Sequence, residues 1–142
     1  MNNITQLGSG QLYDTITLPD VCDLETFDSP SDDIMIKFDC PEFTSNCPVT
    51  GQPDFGSITI EYVPNQKCVE TKSLKIYLQR HRNFKGFMEQ IVTRIREHLV
   101  TVLDPNMLRV VGKFNPRGGI HPTIEALYIR DGYHLSDELN EE

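Results

Sequence analysis

The stretch Phe43-Thr44-Ser45-Asn46-Cys47-Pro48-Val49-Thr50-Gly51-Gln52-Pro53-Asp54-Phe55-Gly56 sets a cysteine seven positions before an aspartate, among small hydroxyl residues. A thiolate is the nucleophilic form of cysteine, and a nearby carboxylic acid can deliver a proton to whatever it attacks. On spacing alone the plainer reading is preferred, with Cys47 as packing and Asp54 as a turn cap. A second group is basic. Residues 67–96 hold Lys67, Lys72, Lys75, Arg80, Arg82, Lys85, Arg94 and Arg96 against only Glu70 and Glu89. That run fits a solvated helical face. It also fits a local anion site. A third group is Asn115-Pro116-Arg117-Gly118-Gly119, where glycines would let a phosphate approach the main chain and arginine offers paired donors. A hairpin turn explains the glycine pair equally well. Gly8-Ser9-Gly10 lacks the Gly-Lys-Ser/Thr that completes a phosphate loop. The cysteines Cys22, Cys40, Cys47 and Cys68 form no close pair. A zinc site from Cys40, Cys47, Cys68 and His81 matches no common ligand spacing, so no metal is expected.

These groups need a scaffold, and the chain is long enough to supply one. Its 142 residues suit a single domain. Leu, Ile, Val and Phe make up 40 of them, enough for a core without disulfides or metal. No run is apolar enough to span a membrane, and the N-terminus has no basic and apolar leader. A cytoplasmic protein with reduced cysteines is expected. The net charge is −8. Residues 1–42 carry nine acids and one base, and residues 131–142 carry five acids and no base. Such a chain is poorly suited to gripping nucleic acid through its phosphates, so no direct nucleic-acid partner is expected.

Pattern then divides the chain. Residues 1–32 are polar and acidic and read as an arm, 33–130 as the folded domain, and 131–142 as an acidic tail. Ile34, Ile36 and Phe38 alternate with polar positions, the period of a half-buried strand. Residues 40–54 read as a loop, with three prolines and a glycine. A second strand places Ile58, Ile60 and Tyr62 on one face. A helix follows from about Thr71, its expected N-cap, to about Arg80. A second runs from Phe84 to Leu103, with an apolar stripe through residues 84, 87, 88, 91, 92, 95, 99, 102 and 103. Strands over 108–114 and 120–129 close the order strand-strand-helix-helix-strand-strand. The fold class is α+β. Its two open sheet edges invite pairing with another copy.

FTSNCPVTGQPDFG resembles the nucleophile loop of the NADPH-dependent 7-cyano-7-deazaguanine reductases, the nitrile reductases of queuosine biosynthesis. Val69-Glu70-Thr71-Lys72-Ser73-Leu74-Lys75-Ile76-Tyr77-Leu78 is similar to that family's cofactor-associated motif. Phe87-Met88-Glu89 and the segment 112–120 resemble two further family segments in the same order. The resemblance covers residues 34–121. It implies a tunnelling fold whose subunits close an antiparallel barrel in a ring oligomer, as two stacked pentamers. It also implies Cys47 as the nucleophile that forms a covalent thioimide with the nitrile carbon, and Asp54 as the acid that protonates the nitrogen. Glu89, Glu70 and Ser73 would hold the 7-deazaguanine substrate. Lys72, Lys75, Arg117, Gly118 and Gly119 would hold NADPH, which reduces the nitrile to 7-aminomethyl-7-deazaguanine.

One position departs from the pattern. The family ordinarily has His-Glu on its second helix, whereas this chain has Met88 before Glu89. Methionine can neither donate a hydrogen bond nor carry a proton, and its place in the apolar stripe suits packing. Two other functions stay open at this level: a non-reductive relative that passes the thioimide to ammonia, and a module that binds purine or pterin rings. The first lacks the cofactor motif present here, and the second leaves Cys47 unexplained.

Overall fold

A computed structural model describes residues 17–134. Six strands and two helices follow in order: β1 (Thr26–Asp28), β2 (Ile36–Asn46), β3 (Pro53–Val63), β4 (Lys67–Val69), α1 (Thr71–Gln79), α2 (Met88–Leu103), β5 (Met107–Phe114) and β6 (Thr123–Ile129). Single 3₁₀ turns occupy Val21–Asp23 and Arg80–Asn83. The main sheet is antiparallel in the order β2-β3-β5-β6, and β1 pairs with β4 in a separate ribbon. The α+β class expected from the sequence is the class observed.

Two periodicities meet in the core. Ile58, Ile60 and Tyr62 point to one face of β3, and Leu108 and Val110 continue that face on β5. All five are fully buried. Ile91, Val92, Ile95, Leu99 and Leu103 of α2 recur at helical spacing and bury against them. The opposite face is polar where the strands cross: Arg109 reaches Glu61 at 3.1 Å and Glu125 at 3.0 Å.

The structure departs from the sequence-based expectations in several elements. Residues 40–54 are not a long loop: β2 runs through Asn46 and β3 starts at Pro53. Pro41 sits beside a register shift between Cys40 and Phe43 on an edge strand, where a missing N–H costs little. Within the span read as an arm, part of the described segment 17–32 packs on the domain. Leu24 is buried in the core, β1 pairs with β4, and Asp23 forms an ion pair with Arg80. A three-residue strand is too short to leave a hydrophobic period, so its backbone pairing was invisible. Residues 1–16, with Gly8-Ser9-Gly10, and residues 135–142 of the tail lie outside the described residues. The second helix begins at Met88 rather than Phe84, because residues 84–86 are spent on pairing with β2. The last strand begins at Thr123 rather than residue 120, since residues 117–120 form a closed turn ahead of Pro122.

Candidate active site

The β2–β3 hairpin builds the first part of the site. Beyond Asn46 the chain turns over residues 47–52: the Cys47 N–H donates to the Gln52 carbonyl, and the Gly51 N–H donates to the Cys47 carbonyl, both at 2.9 Å. Cys47 is therefore fixed at the base of a tight turn and is half-buried. The Thr50 hydroxyl and the backbone N–H groups of Thr50 and Val49 surround its sulfur and hold the thiol below the usual cysteine range. The Asp54 charge opposes that shift. Donors converging on a sulfur favour the thiolate, which is the nucleophile.

Asp54 lies across the ladder from Ser45, so the two side chains share one face of the hairpin. Its carboxylate is only 5% exposed, and Arg117 Nη2 contacts Asp54 Oδ1 at 2.5 Å. That contact is an ion pair by distance but is out of hydrogen-bond alignment. Asp54 Oδ1, Arg117 Nη2 and the hydroxyl of Ser45 are all buried without an aligned hydrogen-bond partner. Unsatisfied buried polar atoms are uncommon in a folded protein. Here three of them gather at the hairpin that carries Cys47.

A further segment reaches the end of β2. The Asn46 N–H donates to the Phe84 carbonyl at 2.9 Å, and the Gly86 N–H donates to the Asn46 carbonyl at 3.1 Å. This bridge docks residues 84–86 beside Cys47's neighbour and starts α2 immediately afterwards. Glu89 falls in the first turn of α2, exposed, where the helix dipole favours a carboxylate. Gln90 closes that end by accepting from the Phe87 N–H at 3.0 Å. Met88 is half-buried and packs against the core, as its place in the stripe implied.

The remaining sequence-based candidates are placed unevenly. Glu70, not Thr71, is the N-cap of α1. Its carboxylate accepts from the Lys72 and Ser73 N–H groups at 2.7 and 2.9 Å, and those donors lower its pKa. Ser73 is buried, donating to the Glu70 carbonyl and accepting from the Glu25 N–H. The Glu70 side chain thus caps α1, and the Ser73 hydroxyl ties α1 to Glu25, the residue that precedes β1. Lys72 and Lys75 are exposed on α1. Lys75 borders a cleft of about 470 Å³ between α1 and the bulge of β2, floored by Phe38, Phe43 and Leu74. Gly118 and Gly119 adopt φ of 58° and 83°, with nothing within 4 Å of where a Cβ would stand. Sequence reading missed Thr50 and Ser45. Counting back across a hairpin centred on residues 49–50 would have set Ser45 opposite Asp54. Cys40, Cys47, Cys68 and His81 do not assemble: among the described residues no three His, Cys, Asp or Glu side chains gather as a metal site.

The profile of a family described as QueF-like protein matches residues 53–132. An NADPH-dependent 7-cyano-7-deazaguanine reductase of Streptococcus thermophilus is 53% identical over 123 residues, covering 84% of this chain and 74% of the relative. The chain belongs to the QueF-like family. A Staphylococcus saprophyticus relative of the same name is 50% identical over 123 residues, covering 84% of this chain and 73% of its own. Among solved structures, an archaeosine synthase QueF-Like in the apo form superposes with a TM-score of 0.62 at 19% identity. It covers 70% of this chain and 94% of that one. At that identity the likeness concerns the fold, and it agrees with the QueF-like assignment. No helix among the described residues is long and apolar enough to cross a membrane.

Proposed function

We propose that this chain is an NADPH-dependent 7-cyano-7-deazaguanine reductase acting through Cys47. The observation that carries the mechanism is the thiol itself, held toward the thiolate by Thr50 and two backbone N–H groups with a buried carboxylate beside it. The Cys47 thiolate adds to the nitrile carbon, and Asp54 supplies the proton to the nitrogen. The product of that step is a neutral thioimide, so one difficult reduction becomes two easier ones. Glu89 accepts from the amide and amine edge of the base, as carboxylates accept from base amines elsewhere. Glu70 and Ser73 support that pocket from α1 by fixing its N-terminus.

The residues present suit a polyanionic cofactor. Lys72 and Lys75 are exposed cations on one helix, Arg117 ends in a buried unaligned nitrogen, and Gly118-Gly119 leaves open space at the main chain. When bound, NADPH supplies the hydrides, two per nitrile. These cations favour the reductase over a non-reductive relative. Rings of two stacked pentamers fit the open edges of the main sheet, where β2 and β6 are the terminal strands. A cytoplasmic enzyme of domain span 33–130, extended N-terminally by the packed β1 segment, completes the reading.

NADPH oxidation with 7-cyano-7-deazaguanine, followed with product mass, tests the proposal. About two NADPH consumed per nitrile, with an aminomethyl product, is the expected result. A mass adduct that survives Cys47→Ala overturns the nucleophile.

A further inference from the structure

Arg117 has two anionic claims on it. Its place beside Gly118-Gly119 suits a phosphate, yet in the free protein its guanidinium lies 2.5 Å from Asp54. The two members of the pair are not equally held. The Asp54 side chain is 5% exposed and that of Arg117 is 38% exposed, so the carboxylate is the fixed member and the guanidinium has a route to solvent. The turn that carries Arg117 is anchored on either side and free at its tip. The Asn115 N–H donates to the Phe55 carbonyl at 2.8 Å, and the Phe114 N–H to the Pro122 carbonyl at 3.0 Å. Between those anchors only the reciprocal Arg117–Ile120 bonds close the turn, both glycines sit in open space, and Ile120 is 70% exposed. Arg117 can turn without unpacking the core. The contact is also out of alignment on both atoms, as expected of a pair whose members have other tasks.

The two roles given to this pair exclude each other at one instant. An ionised carboxylate accepts hydrogen bonds only; to donate, Asp54 must first take up a proton. We propose that Arg117 is a positioning residue that couples cofactor occupancy to nitrile capture. It leaves Asp54 for a cofactor phosphate, and the freed carboxylate takes a proton from a solvent hydronium, which leaves as water, and stands ready as the acid. Resting on the function proposed above, the step balances. The Cys47 Sγ lone pair forms the C–S bond, one π pair of the nitrile moves to nitrogen, and that nitrogen takes the Asp54 proton. One negative charge enters on sulfur and one leaves on the carboxylate, free to pair with Arg117 again.

The coupling is read from adduct formation, without turnover. Oxidised NADP⁺ has no hydride to give, so Cys47 adduct growth can be timed by mass with and without it. In the unmodified chain NADP⁺ accelerates capture by roughly a hundredfold or more, the lower end of what one positioned general acid contributes. Arg117→Ala captures at least as fast as the NADP⁺-loaded chain and no longer responds to NADP⁺, because Asp54 is already uncovered. Asp54→Asn captures slowly with or without NADP⁺. An unmodified chain indifferent to NADP⁺, or an Arg117→Ala chain slower than it, overturns the coupling while leaving the nucleophile intact. Absence of any Cys47 adduct under all conditions overturns the underlying function instead. Should Arg117→Ala fail to fold, the NADP⁺ response of the unmodified chain decides alone.

Discussion

His81 offers a test of how the scaffold under the site is held together. It is fully buried, with Nδ1 at 3.1 Å from the Tyr77 carbonyl and Nε2 without a partner. Phe43, Tyr77 and Phe84 enclose it, their ring centres 5.3, 5.0 and 5.7 Å away. Burial pushes its pKa down to about 4 from 6.5; the Tyr77 carbonyl works against that, and the nearby Arg94 charge adds to it. The folded chain thus keeps His81 neutral at pH values where the unfolded chain protonates it. Stability is therefore full above about pH 6.5, falls as pH drops, and levels off below about pH 4, losing about 3 kcal/mol in all. About 2 kcal/mol of that loss falls between pH 7.5 and 5, above the range where carboxylates dominate. Urea denaturation at half-unit pH intervals over that range would measure it, with His81→Phe as the comparison. Phenylalanine suits the ring cluster and has nothing to protonate, so its stability curve should be flatter by about 2 kcal/mol over the same interval. His98, also pushed down by burial, remains in both proteins and cancels from the difference. Parallel curves would refute the buried neutral histidine. The site has a stake in the result, since the His81 carbonyl accepts from the Phe84 N–H, and Phe84 in turn pairs with Asn46 beside Cys47.

Three further perturbations address the site and its supports. Thr50→Val removes the hydroxyl that contributes most to lowering the Cys47 pKa; the pH midpoint of Cys47 alkylation should rise while the fold is unchanged. An unmoved midpoint would assign the shift to the backbone N–H groups alone. Gly56→Ala would put a Cβ 2.4 Å from the Lys113 carbonyl oxygen and 2.8 Å from Phe114 Cα, both backbone atoms. Neither strand can yield there, so a loss of roughly 3 kcal/mol is expected in urea denaturation, with weaker Cys47 capture because Asp54 lies two residues away. Glu70→Ala removes the cap of α1 and should cost about 1 kcal/mol of stability, whether or not substrate is bound. Equal stability with weakened substrate binding would instead give Glu70 a direct contact.

What could be read from the sequence followed from how far each interaction reaches along the chain. The inward residues of β3 and β5 repeat every second position, and those of α2 every third or fourth, so the face each element buries was visible before any contact was known. Cys47 and Asp54 belong to one hairpin, and their separation of seven residues is short enough to suggest proximity. The resemblance then supplied their roles. Interactions that cross the chain left no such trace. β1 is three residues long and is held by partners about forty positions away, from Thr26–Val69 to Asp28–Lys67. Residues 84–86 continue the helical period of α2 yet pair with β2, because closing the chain beside Asn46 outweighs one more helical turn. Arg117 is the most instructive case. Its type and its glycine neighbours announce an anion, and an anion is what it meets, but in the free protein that anion is Asp54. A motif can show which charge a residue seeks. Only the fold shows which of two competing groups holds it, and at this site that competition separates a carboxylate that can donate a proton from one that cannot.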